Sequence, residues 1–137
     1  PDRRQRQMCI RDSGCPISYQ PKLKLFNFSN KAIKKIKIFN NAKQAAKNAD
    51  VIMTDKVISM NDKVNTKKKI LAFKNFRIDE NLLKTTKKNA IILHCLPRGD
   101  EISESVFKSK NSKIWEQAIN RIHVQKAILL FCFGKLR

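Results

Sequence analysis

Apolar residues in this chain gather in short runs, separated by longer polar and Lys-rich stretches. Ile36-Lys37-Ile38-Phe39 alternates, as a half-buried strand does. Residues 51–53 and 90–93 are unbroken apolar runs that Thr54 and His94 complete to strand length, the pattern of short buried strands. Helices are predicted between them. Asn41 stands where it can cap a helix through Lys47 that buries Ala45 and Ala46. Residues 62–76 are first polar and then amphipathic, with Ile70, Leu71, Phe73 and Phe76 on one face. Asp79 opens a second helix that turns Leu82 and Leu83 inward. Lys87-Lys88 would lie near its C-terminus, where cations suit the macrodipole. Ser103 can cap a short helix through Val106 and Phe107, and residues 112–115 read as extended. Residues 120–133 predict a terminal helix with Ile122, Ala127, Leu129, Leu130 and Phe133 available for burial, and residues 23–35 are expected to be helical in part. Strands alternating with helices are the mark of a parallel α/β sheet.

The amino end differs in character. Residues 1–13 are basic and show no apolar periodicity, so they are set apart as a tail unrelated to the fold. Residues 14–21, with one glycine and two prolines, read as a loop. The folded unit is therefore expected over residues 14–137.

Composition narrows the class. A chain of 137 residues suffices for one domain with a modest core. Its net charge of +19 would suit a small nucleic-acid-binding module. However, the charge is spread over Lys34-Lys35, Lys67-Lys68-Lys69 and Lys87-Lys88, on surfaces predicted to be helical. One Trp and one Tyr leave little stacking surface for bases, so no nucleic-acid partner is expected. No run is long enough for a membrane helix and no signal-peptide pattern occurs, so the expected partners do not include a membrane and the expected location is cytoplasmic. Cys9, Cys15, Cys95 and Cys132 form no CxxC pair, which argues against a zinc or redox motif; Cys9, Cys15 and Cys132 read as inert.

The chemistry concentrates at His94-Cys95-Leu96-Pro97, directly after the apolar run that ends at Leu93. Pro97 has no N–H and steers Leu96 away from helix, so the chain turns where the thiol and imidazole emerge. The Leu96–Pro97 peptide is expected to be cis. A second apolar strand ends on Thr54-Asp55, with Ser59-Met60 a few residues on. Carboxyl ends of parallel strands are where ligands collect in open α/β sheets. Taken alone, Cys95 would be a small buried hydrophobe, Asp55 a turn or cap residue, and Arg121 a surface cation. Arg121 in the first turn of a helix is slightly disfavoured by the dipole, which hints at an anionic partner.

Together, Thr54-Asp55 followed by Ser59-Met60, His94-Cys95-Leu96-Pro97 and Asn120-Arg121 resemble the ornithine carbamoyltransferase family, in its order and near its spacing. The resemblance covers roughly the last 120 residues. It implies a Rossmann-like parallel sheet with flanking helices, the incomplete second domain of a carbamoyltransferase. It also implies transfer of a carbamoyl group from carbamoyl phosphate to the δ-amine of ornithine, with no cofactor and no metal. Asp55, Ser59, Met60 and Cys95 would hold ornithine, Asp55 and Cys95 acting in catalysis, with the Cys95 thiol orienting the amine without attacking it. Cys95, Leu96 and Arg121 would contact carbamoyl phosphate. His94 is given no catalytic role, and His123 is a weak candidate.

The family's Ser-x-Arg-Thr and His-Pro-x-Gln segments do not occur here, so the resemblance implies a fragment, inactive alone, of an enzyme that works as a homotrimer. Three departures stand out: Asn61 replaces a Gly after Ser-Met, Val57 replaces a Trp, and Ile119 stands where Glu is common. A relative using putrescine or N-acetylornithine is the nearest alternative. An aspartate-specific one is disfavoured by His-Cys-Leu-Pro, the ornithine-type version of that segment.

Overall fold

The computed structural model describes residues 11–21, 35–58 and 66–135. β1 (Arg11–Gly14) pairs in parallel with β2 (Ile36–Phe39), Arg11 opposite Ile36 and Gly14 opposite Phe39. Arg11, Asp12 and Ser13 are thus part of a strand, which corrects the boundary drawn after residue 13. The strand has no apolar alternation to reveal it, because backbone pairing with β2 holds it. The helical expectation for residues 23–34 lies outside the described residues.

α1 (Ala42–Ala46) follows, with the Gln44 N–H donating to the Asn41 side chain at 3.1 Å. Its small residues let it lie close to β1: a Cβ on Gly14 would stand 3.2 Å from the Ala45 Cβ and 3.3 Å from the Ala42 Cα. Asn48 then reverses the chain at φ 57°, a left-handed conformation that Asn tolerates better than most residues. β3 (Val51–Thr54) pairs in parallel with β4 (Ile91–His94), Val51 opposite Ile91 and Thr54 opposite His94. A parallel pair needs a long crossover, here made by α2 (Thr66–Phe73) and α3 (Glu80–Leu83).

The core is Ala46, Ile52, Ile78, Leu82, Ile92, Ile102, Val106 and Ile114. Ile92 on β4 is wholly buried. Ile70 and Leu71 remain exposed, so α2 does not bury the face expected of it. α3 is capped by Asp79, which accepts from the Leu82 N–H at 2.8 Å. It stops at Leu83, so Lys87 and Lys88 lie beyond the helix and not at its C-terminus; the Lys87 Nζ meets Asp50 at 2.7 Å. α4 (Glu104–Phe107) starts at the expected Ser103 cap.

α5 (Ile114–Cys132) begins well before residue 120. Ser112 makes one parallel bridge to Ile92, and the Lys113 N–H donates to the Ile92 carbonyl at 2.9 Å; burial of Ile114 then starts the helix without a side-chain cap. Beyond Gln117 and Ala118 the helix leaves the body, and Ile122, Ala127, Leu129, Leu130 and Phe133 are exposed, not buried as expected. No described helix is long and apolar enough to cross a membrane.

The two sheets do not join among the described residues. A cavity of about 130 Å³ separates them, lined by Asp12 and Gly14 of β1, by Val51–Thr54 of β3, and by the alanines of α1.

Candidate functional site

Parallel pairing brings the carboxyl ends of β3 and β4 side by side, so Asp55 and Cys95 are the first residues past adjacent strands. The Cys95 thiol donates to the Asp55 Oδ1 at 2.8 Å, although forty positions separate them in sequence. The Lys56 N–H also donates to Asp55, at 2.7 Å. Donation from the thiol, and then from that N–H, holds the Asp55 carboxyl below the usual carboxylate range. Burial, and then the bond to Asp55, push the Cys95 thiol up. At neutral pH the pair is a carboxylate accepting from an intact thiol. Such a thiol is a donor and not a nucleophile.

The turn is held from several sides. Leu96–Pro97 is a cis peptide, as expected. The His94 N–H donates to the Gln117 side chain on α5 at 3.0 Å. The His94 ring is buried, donating from Nε2 to Glu101 Oε1 at 2.8 Å, while its Nδ1 touches the Cys95 carbonyl oxygen. Arg98 pairs with Glu104 at 2.8 Å and lies 5.1 Å over the Phe107 ring, which packs edge-on to Trp115. Sequence reading gave no role to Glu101 or Gln117. Gln117 acts on the turn from α5, and Glu101 lies at the end of the turn itself, where no sequence signal marks its side chain as folding back onto Gly99 and His94.

A cavity of about 700 Å³ opens beside Asp55. Thr54–Ile58 form one wall, Ile70 and Phe73 of α2 a second, and Gly99–Glu101 a third. That volume suits a small molecule. Among the described residues no group of three or more His, Cys, Asp or Glu could hold a metal ion.

Asp55 and Cys95 are thus brought together, with Leu96 exposed next to them. Ser59 and Met60 lie outside the described residues. Arg121 is exposed within α5, one turn beyond Gln117 and therefore on the stripe that meets β4. It is not in a first helical turn, so the dipole argument for an anionic partner lapses. His123 is exposed on the same helix.

The family model described as aspartate/ornithine carbamoyltransferase, Asp/Orn binding domain, matches residues 11–132. An ornithine carbamoyltransferase of Prochlorococcus marinus is 42% identical over 123 residues, covering 85% of this chain and 39% of that protein. One from Methanosphaera stadtmanae is 42% identical over 126 residues, covering 88% of this chain and 42% of its own length. The solved ornithine carbamoyltransferase from Pyrococcus furiosus superposes with a TM-score of 0.78 at 32% identity, covering 92% of this chain and 42% of that one. The chain spans about two fifths of the length of these relatives.

Proposed function

The chain belongs to the aspartate/ornithine carbamoyltransferase family, and on that premise we propose that it is the ornithine-binding part of an ornithine carbamoyltransferase. The δ-amine of ornithine attacks the carbonyl carbon of carbamoyl phosphate. A C–N bond forms, the C–O bond to phosphate breaks, and the amine gives up a proton, leaving citrulline and phosphate.

The observation that carries this reading is the Cys95–Asp55 pair at the joint carboxyl edge of β3 and β4. An anionic carboxylate beside a neutral thiol is suited to grip and aim an amine. Asp55 attracts the ammonium form on arrival. Attack requires the neutral amine, which a carboxylate alone would oppose, so aiming by the thiol and exclusion of water must compensate. Ser59 and Met60 take the amino-acid end of ornithine. Cys95, the Leu96 backbone and Arg121 face carbamoyl phosphate, where charge on the carbonyl oxygen and the leaving phosphate needs donors and cations. The working enzyme is a cytoplasmic homotrimer, and most of its phosphate-binding machinery lies outside this chain.

Calorimetric titration of the chain with ornithine, putrescine, N-acetylornithine and aspartate tests the reading. Ornithine should bind, with affinity lost in Asp55→Asn. Preference for any of the other three, or indifference to Asp55→Asn, would overturn it.

A further inference from the structure

Glu101 is buried, yet the carbamoyl-transfer chemistry above makes no use of it. Its Oε1 accepts two hydrogen bonds, from the Gly99 N–H at 2.7 Å and from His94 Nε2 at 2.8 Å. The backbone of Glu101 is fixed independently. Its carbonyl accepts from the Ile78 N–H at 2.9 Å, and the next residue, Ile102, bridges Ile78 in the core. The carboxylate is therefore an anchored point from which both ends of the 94–101 turn are held.

At one end the hold passes through the imidazole. His94 Nε2 faces Glu101, and Nδ1 rests on the carbonyl oxygen of Cys95. That carbonyl belongs to the Cys95–Leu96 peptide, so fixing it fixes the plane from which the Cys95 side chain departs. Gly99 is fitted to the same arrangement. A Cβ there would lie 2.7 Å from Glu101 Oε2 and 3.1 Å from Oε1. Only glycine lets the turn close onto the carboxylate at this distance.

We propose that Glu101 is a positioning residue for Cys95, acting through the His94 ring to hold the thiol on Asp55. Its bearing on an amine substrate rests on the function proposed above. The placement of the thiol does not, and can be read with no substrate present.

The test is the rate of iodoacetamide alkylation at Cys95, resolved by mass spectrometry in the full 137-residue chain, below the onset of melting. Releasing the thiol from Asp55 favours thiolate and speeds alkylation. Asp55→Ala, which removes the acceptor, sets the rate of a released thiol. Glu101→Ala should raise the rate roughly three- to tenfold, towards that value. Glu101→Gln keeps an acceptor oxygen in place and should stay near the parent. Gly99→Ala, which leaves Glu101 present but displaces it, should behave like Glu101→Ala and decides the matter if that variant does not fold. In the double variant Asp55→Ala/Glu101→Ala, no further rise is expected. A purely structural pair would lower the melting temperature and leave the Cys95 rate of the folded variants at the parent value, and that result would overturn the proposal. So would a parent chain whose Cys95 already reacts like a cysteine in an unstructured peptide.

Discussion

Ile92→Ala should be among the most damaging single changes in this chain. Ile92 sits at 0% exposure in the middle of β4, opposite Ile52, and both of its backbone groups bond to the 111–113 segment. Its N–H donates to the Asn111 carbonyl and its own carbonyl accepts from Lys113. The substitution removes Cγ1, Cγ2 and Cδ1 from a packed site. At ~0.8 kcal/mol per buried CH₂ the transfer loss is about 2.4 kcal/mol. Incomplete collapse of the cavity brings the expected cost to about 3–4 kcal/mol, within the range seen for such truncations. A domain holds only about 5–15 kcal/mol in total, so a large share of stability goes with one side chain. The site would suffer too, because β4 carries Cys95 into register with Asp55. Urea unfolding followed by far-UV circular dichroism measures it, as a fall in midpoint at constant slope. The control is Ile128→Ala on α5, where the side chain is 55% exposed and the expected cost is under about 0.5 kcal/mol. A loss below about 1 kcal/mol for Ile92→Ala, or equal losses for both variants, would refute this account of the core.

Three other outcomes are expected. Because burial and Asp55 raise the Cys95 pKa in the folded chain, its proton is held more tightly there than when unfolded. This contribution to stability is therefore complete below the ordinary thiol value of 9.0 and is lost as pH rises past it, and the alkylation midpoint of Cys95 should lie above 9.0 and move down in Asp55→Asn. In an intact enzyme containing this chain, Cys95→Ala should impair ornithine use more than carbamoyl phosphate binding and Arg121→Ala the reverse; steady-state kinetics giving equal effects would contradict that division. Residues 1–137 alone should form no citrulline and should associate through α5, with Ile122→Glu and Phe133→Glu reducing light scattering; a monodisperse parent with turnover would contradict both statements.

The strands and most helix starts were legible because each rests on local chemistry. β2, β3 and β4 carry compact apolar runs, and Asn41, Asp79 and Ser103 announce their helices with capping side chains. β1 was not legible, because Arg-Asp-Ser-Gly is held by its backbone partner and not by side-chain pattern. The start of α5 was hidden for a related reason: its first residue is fixed by bonds to β4 and burial of Ile114, with no cap to mark it. Apolar spacing also misled on α5 and α2, since a stripe of Ile and Leu says that a face can be buried and not that this chain buries it. At the site, Asp55 and Cys95 stood out as residues ending predicted strands at one edge. Gln117 did not, because it reaches the turn only through tertiary structure, and Glu101 did not, because no pattern marks a carboxylate that folds back onto its own turn.

The account turns on the Cys95–Asp55 pair being an amine-binding site, and ligand footprinting of the cysteines tests this directly. Residues Cys15, half-buried near β1, and Cys132, exposed on α5, are internal controls. Alkylation would be measured at each cysteine with increasing ornithine, and separately with aspartate. The account predicts that ornithine slows alkylation at Cys95 in a saturable way, leaves Cys15 and Cys132 unchanged, and loses its effect in Asp55→Asn, while aspartate does nothing. Unchanged Cys95 reactivity at saturating ornithine, or equal slowing at Cys95, Cys15 and Cys132, would contradict it.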